Sequence, residues 1–238
     1  MENLPFVIDL IFILVAIITL WLFFKATHYS VIVAIVLGAW LLVQSLVSKG
    51  GFYTNNASTL PHFALAIVPP FILMAAIFVL PAGRRFADSL DLLTLTLLHV
   101  IRVPVEIVLL LLFLYKAVPG AMTFEGRNFD ILSGLTAPLL YYFVFIKKRV
   151  GYNWLLAWNI ICLGLLLNIV IIALLSAPLP FQQLSFDQPN KAILYFPFVW
   201  LPSCIVPIVF FCHLAAIRYT ILNKKKSTGT RVIAQNAL

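Results

Sequence analysis

A chain of 238 residues with 63% hydrophobic and only 10% charged residues falls far below the roughly 25% charged residues of a soluble domain. Its mean hydropathy of +1.08 excludes a water-soluble globule, a disordered chain and a collagen-like fibre, and makes lipid the solvent. A net charge of +8, from 16 Lys and Arg against 8 Asp and Glu, would suggest nucleic acid in a soluble protein. Sorting the charges by position removes that suggestion.

Apolar runs lie at 6–24, 29–48, 62–80, 89–115, 131–146, 153–176 and 194–222. Most approach the length of about 20 residues that crosses a bilayer core as helix; the fifth is short unless it continues through Lys147. The alternating polarity of barrel strands is absent. The pattern predicts an all-α, polytopic membrane protein, a seven-transmembrane-helix bundle in a single domain over residues 1–222 with a basic tail at 223–238. Met1 to Pro5 carry no cation ahead of the first run and no small-residue cleavage motif follows it, so the first helix is expected to be retained.

The connecting segments are polarised. Lys25, Arg84, Arg85, Lys147, Lys148, Arg149, Arg218, Lys224, Lys225, Lys226 and Arg231, eleven cations, share one side, against Lys49, Lys116, Arg127 and Lys191 on the other. The positive-inside rule then places the N-terminus outside and the C-terminus in the cytoplasm. The acids agree: Asp88 and Asp91 fall inside, whereas Glu2, Asp9, Glu125, Asp130 and Asp187 fall outside. The basic excess is a topology signal, and no nucleic-acid partner is implied. Lys224 to Lys226 could touch anionic lipid, although a stop-transfer flank with a frayed end explains them. Cys162, Cys204 and Cys212 all fall inside spans without CxxC spacing and read as small buried apolar residues. Asn56-Ala57-Ser58 matches a glycosylation acceptor on the outer side, which would mean nothing if the chain were bacterial.

The fourth run holds the chemistry. On a helical wheel with Asp91 at 0°, His99, Arg102 and Glu106 fall at about 80°, 20° and 60°, one arc of about 80°. Arg102 and Glu106 lie near mid-membrane, where an uncompensated charge costs about 2.5–3.5 kcal/mol on insertion scales. Their i,i+4 spacing predicts an ion pair, and Pro104, which cannot donate to the Val100 carbonyl, predicts a bend or an extra polar partner there. A polar path or substrate pocket and a structural ion pair explain the stripe equally well. In the seventh run, which crosses antiparallel to the fourth, His213 reaches a depth similar to that of His99. A haem or metal site between them is one reading and buried hydrogen bonding the more ordinary one; no metal site is predicted, and no motif names a cofactor.

Before the fifth run, Thr123 to Asp130 packs Glu125, Arg127, Asn128 and Asp130 against a helix start. Asn128 or Asp130 is expected to cap that helix; an extracytoplasmic clamp with Arg127 reading an anion above Glu106 is the functional alternative. Residues 177–191, rich in Pro and Phe, read as an interfacial lid or re-entrant loop. Asn159 and Asn168 lie on opposite faces of the sixth run, so interhelical hydrogen bonds are expected of each. The candidate binding or polar-path set is therefore His99, Arg102, Glu106, Arg127, Asn128, Asp130 and His213.

A microbial rhodopsin would need a lysine in the seventh run, and 194–222 holds none; the paired histidines of alkaline-ceramidase-like hydrolases are absent too. The strings RVPVE (102–106), TFEGRNFDILSGLTAPL (123–139) and FPFVWLPSCIVPIVFFCH (196–213) resemble a family of uncharacterised seven-span bacterial inner-membrane proteins. That resemblance implies the inner membrane as location and supplies no substrate. A small transporter or ion-coupled permease using the stripe is the favoured expectation. A membrane-embedded enzyme acting on a lipid or isoprenoid through His99 and His213, or a structural or sensory subunit, are the alternatives. The partners expected are the bilayer and a small-molecule or lipid ligand; the oligomeric state has no sequence signal.

Overall fold

A computed structural model describes residues 4–54 and 62–236, with side chains through residue 222. Asn56-Ala57-Ser58 lies outside the described residues. Among them every regular element is helical, and each of the seven apolar runs becomes helix. These elements are α1 (Phe6–Ala26), α2 (Val31–Lys49), α3 (Ala64–Val79), α4 (Pro81–Ser89), α5 (Leu92–Leu114), α6 (Ile131–Ile146), α7 (Tyr152–Leu175) and α8 (Leu201–Leu222). The backbone of α8 stays helical to Asn236, into the basic tail expected to fray. Five helices, α1, α2, α5, α7 and α8, are long and apolar enough to cross a membrane; α3 and α4 together make a sixth candidate broken by a 94° bend, and α6 is a shorter apolar helix.

The breaks follow from proline chemistry. Leu80 precedes Pro81, is held extended (φ −77°, ψ 139°) and ends α3, while Pro81 opens α4 at its first position, where a missing N–H costs nothing. In α5 the turn His99–Ile101 winds as 3₁₀ helix just ahead of Pro104. In α8 the first turn, Leu201–Ile205, is π-helical around Pro202. Pro207 cannot donate to the Ser203 carbonyl, and the indole N–H of Trp40 on α2 donates there instead at 2.9 Å, so the orphan acceptor becomes an interhelical tie.

At one end of the bundle, His28 Nε2 donates to the Ser89 carbonyl at 2.8 Å, the Asp91 amide donates to Ala26 at 3.0 Å, and Arg218 grips Asp88 at 2.7 and 2.9 Å. At the other, Ser48 Oγ donates to Leu194. There residues 177–191 form a strap: Gln188 donates to Phe113 and Val118 at 3.0 and 2.6 Å, and Lys191 to Ala117 at 3.0 Å. Asp91 departs from its place in the polar stripe. Its oxygens accept from the Leu93 and Thr94 amides and the Thr94 hydroxyl, which makes it the N-cap of α5.

In lipid, apolar surface does not drive helices together, so close approach and polar contacts do. Gly134 on α6 illustrates this: a Cβ there would stand 2.8 Å from Val103 Cγ2 and 2.9 Å from Val103 N. Only glycine lets α6 come this near α5, and that contact delivers the start of α6 to Arg102.

A buried polar cluster as candidate functional site

Glycine also folds the loop before α6 inward. A Cβ on Gly126 would fall 2.2 Å from the Gly120 carbonyl oxygen, and the tight loop sends Asn128 and Asp130 down between α5 and α6. Arg102 Nη1 meets Asp130 Oδ1 at 2.9 Å, with Arg102 2% and Asp130 5% exposed. The expected Arg102–Glu106 pair does not form. Glu106 is instead held by the Asn128 amide, whose nitrogen lies 2.6 and 2.7 Å from the two carboxylate oxygens and 3.0 Å from the Met122 carbonyl. The physical reason is orientation: Arg precedes Glu, the weaker order for an i,i+4 pair, and the 3₁₀ turn below Arg102 swings its side chain toward α6.

Neither expected cap caps. Asp130 occupies the N-cap position of α6 without a side-chain cap bond, because its carboxylate serves Arg102. Asn128 Oδ1 accepts from the Asp130 amide at 3.0 Å, fixing the backbone turn that presents both residues.

On the far side of Arg102, Nη2 reaches His213 Nε2 at 3.1 Å, and His213 Nδ1 reaches Asn159 Oδ1 at 2.8 Å. A guanidinium can only donate, so Nε2 accepts and the ring proton sits on Nδ1, donating to Asn159. The Asn159 amide donates to Leu155 at 2.8 Å. His99 and His213 do converge, stacking with centroids 4.0 Å apart and planes at 18°. Trp158 closes over them, 5.3 Å from the His99 ring, with its N–H on Thr136 at 2.8 Å. Two rings stacked this closely leave no space for an iron or zinc between them. Among the described residues no group of three or more His, Cys, Asp or Glu is gathered as a metal would require.

The order is thus Glu106, Asn128, Asp130, Arg102, His213, Asn159, a continuous polar chain across α5, α6, α7 and α8. Five of its members, with His99, belong to the site set expected from sequence, and Asn159 makes the interhelical hydrogen bond expected of it. Arg127 is not among them: it is exposed, and it contributes main-chain bonds, its N–H to Ala121 and its carbonyl accepting from Asn168 at 2.8 Å. Asn159 and Trp158 were missed as site residues, and the one available signal was an amide in an otherwise apolar span.

One end of the chain touches space. A cavity of about 90 Å³ is lined by Glu106 and Asp130 and otherwise by apolar side chains, including Phe71 of α3, Ile169 of α7 and Val206 of α8. His99, Arg102 and His213 do not line it. Formal charges there are one guanidinium against two carboxyl groups. With Asp130 matched by Arg102, Glu106 has an amide but, among the described residues, no cation in ion-pair contact.

The apolar helices and this buried cluster describe a multi-pass membrane protein. The chain belongs to the family described as a domain of unknown function, DUF8737, whose model matches residues 60–221 and so contains every member of the cluster. No curated protein and no solved structure matches it.

Proposed function

We propose that the protein is a small ion-coupled transporter of a bacterial cytoplasmic membrane, with seven spans, an outside N-terminus and Glu106 as the coupling carboxylate. The observation that carries this is the charge count at the cavity: Glu106 is buried, faces the cavity and, among the described residues, is in no ion pair. A carboxylate stranded in a low-dielectric interior is costly, so a proton or small cation in the cavity supplies the balance, and exchanging it is the elementary step of ion coupling. Arg102 fixes Asp130, and Asn128 orients Glu106 without neutralising it.

Topology is supported by the ties at the bundle ends. The helix ends bearing Lys25 and Arg218 and the short helix bearing Arg84 and Arg85 meet through His28–Ser89 and Asp88–Arg218, whereas Lys49, Ala117 and Lys191 lie at the other end. Seven crossings require the bent α3–α4 pair and the short α6 each to count as one.

The test is a proton flux. Full-length protein in liposomes loaded with a pH-sensitive dye is given a valinomycin and potassium potential, negative inside. Wild type acidifies the lumen and Glu106→Gln does not; equal responses in wild type, Glu106→Gln and empty vesicles overturn the reading. A structural-subunit reading is favoured by one specific observation, the sealing of His99 and His213 under Trp158. The enzyme reading draws nothing from the cavity, because the histidines are turned away from it.

A further inference from the structure

A second, larger hollow lies apart from the polar cluster. It is a groove of about 740 Å³ between α2, α3 and α8, with Ile32, Val36 and Val43 on one wall, Leu73 and Ile77 on another, and Phe211 at its floor. Its one hydroxyl-bearing side chain, Ser203, is already satisfied, donating to Val199 at 2.8 Å, and the Ser203 carbonyl takes the Trp40 indole. Nothing in the groove asks for a polar ligand. From Ile32 to Val43, eleven residues of helix rise about 16 Å, close to half of a hydrocarbon core about 30 Å thick. The groove therefore has the length of one acyl chain in one leaflet.

The end near Ile32 is not apolar at its rim. Phe86 of α4 lines the groove, and α4 turns away from α3 at 94°, which lays it across the mouth. Its neighbours Arg84 and Arg85 are exposed. The acid of α4, Asp88, is already engaged by Arg218 at 2.7 Å, and among the described residues neither Arg84 nor Arg85 is in an ion pair. Two guanidinium groups, outside any ion pair among the described residues, thus stand on the same short helix as Phe86, one and two positions before it, beside an acyl-length groove where a lipid phosphate would sit.

We infer that this groove is a binding site for an anionic phospholipid, one acyl chain seated between α2 and α3 and the phosphate held by Arg84 and Arg85. Arginine suits that role, since its planar donors match phosphate oxygens in pairs. The site adds to membrane anchoring a specific lipid that holds the bent α3–α4 pair against α2 and α8.

The experiment is native mass spectrometry of the full-length protein in detergent, titrated with phosphatidylglycerol and with phosphatidylcholine of the same chains. Wild type retains phosphatidylglycerol with a preference on the order of tenfold. Arg84→Gln with Arg85→Gln reduces it to the phosphatidylcholine level. Val36→Trp, which fills the groove from an exposed position, lowers retention of both lipids. Neutralising Lys224, Lys225 and Lys226 together leaves the preference intact. Equal retention of the two lipids by wild type, a preference surviving the double arginine variant, undiminished retention by Val36→Trp, or a preference lost with the tail lysines each overturns the assignment. Thermal unfolding of each variant in detergent confirms that the compared proteins are folded.

Discussion

Replacing Arg102 by Met and Asp130 by Leu, singly and together, probes the cluster where its energetics are most coupled. The two groups are 2.9 Å apart and almost wholly buried. Removing either partner of such a pair strands the other, at about 3–5 kcal/mol. Arg102→Met additionally takes the donor from His213, left without a partner at Nε2 for about 1–3 kcal/mol, so it is the more damaging single change. The double variant strands neither charge and fills the space with apolar atoms, which is near neutral in itself, but it still leaves His213 Nε2 unpaired, so its expected cost relative to wild type is about 1–3 kcal/mol. A double-mutant cycle therefore yields a coupling of about 3 kcal/mol or more. Unfolding in mixed micelles of mild detergent and dodecyl sulfate, followed by tryptophan fluorescence, supplies the four stabilities. Additivity within about 0.5 kcal/mol would refute the assignment of Arg102 to Asp130.

Gly134→Ala places a methyl against Val103 and is expected to destabilise by about 1–3 kcal/mol, measured in the same micelles, whereas Gly164→Ala, with nothing within 4 Å of its added Cβ, is expected to be neutral. Trp158→Phe keeps the lid over the histidines and loses only the bond to Thr136, costing about 1 kcal/mol. At the end of the bundle bearing Lys49, burial raises Tyr53 above the ordinary phenol value of 10.0 despite its bond to Gln44. An acid whose folded value is raised binds its proton more tightly when folded, so its contribution is fully present below the unfolded value and is lost as pH rises above that value through the folded one. Unfolding midpoints should fall as pH rises above the phenol value of about 10 in wild type, and less steeply in Tyr53→Phe.

The helices were legible because apolar runs and prolines act locally: Leu80-Pro81 breaks a span, and Pro104 disturbs the turn beside it. The stripe of His99, Arg102 and Glu106 was legible for the same reason, a helical period read within one run. Partner choice was not, because it depends on how a loop twenty-odd residues away folds. The i,i+4 rule paired Arg102 with Glu106, and tertiary contacts from Asp130 and Asn128 won, brought in by the close approaches at Gly126 and Gly134. Asp91 shared the arc and was claimed by the exposed amides of its own helix start. Asn159 carried a polar signal too weak to choose among neighbouring helices, and only the fold shows that it faces His213.

On the proposed function, Glu106 and Asp130, two carboxyl groups on one cavity, have different states: Asp130 locked as the partner of Arg102, Glu106 free to take up a proton. Dicyclohexylcarbodiimide partitions into lipid and adds to carboxyl groups that carry a proton, leaving a stable acylurea that peptide mass spectrometry locates. In native membranes labelling is expected at Glu106, none at Asp130, and new labelling at Asp130 in Arg102→Met. Labelling of Asp130 in wild type with Glu106 untouched would contradict it.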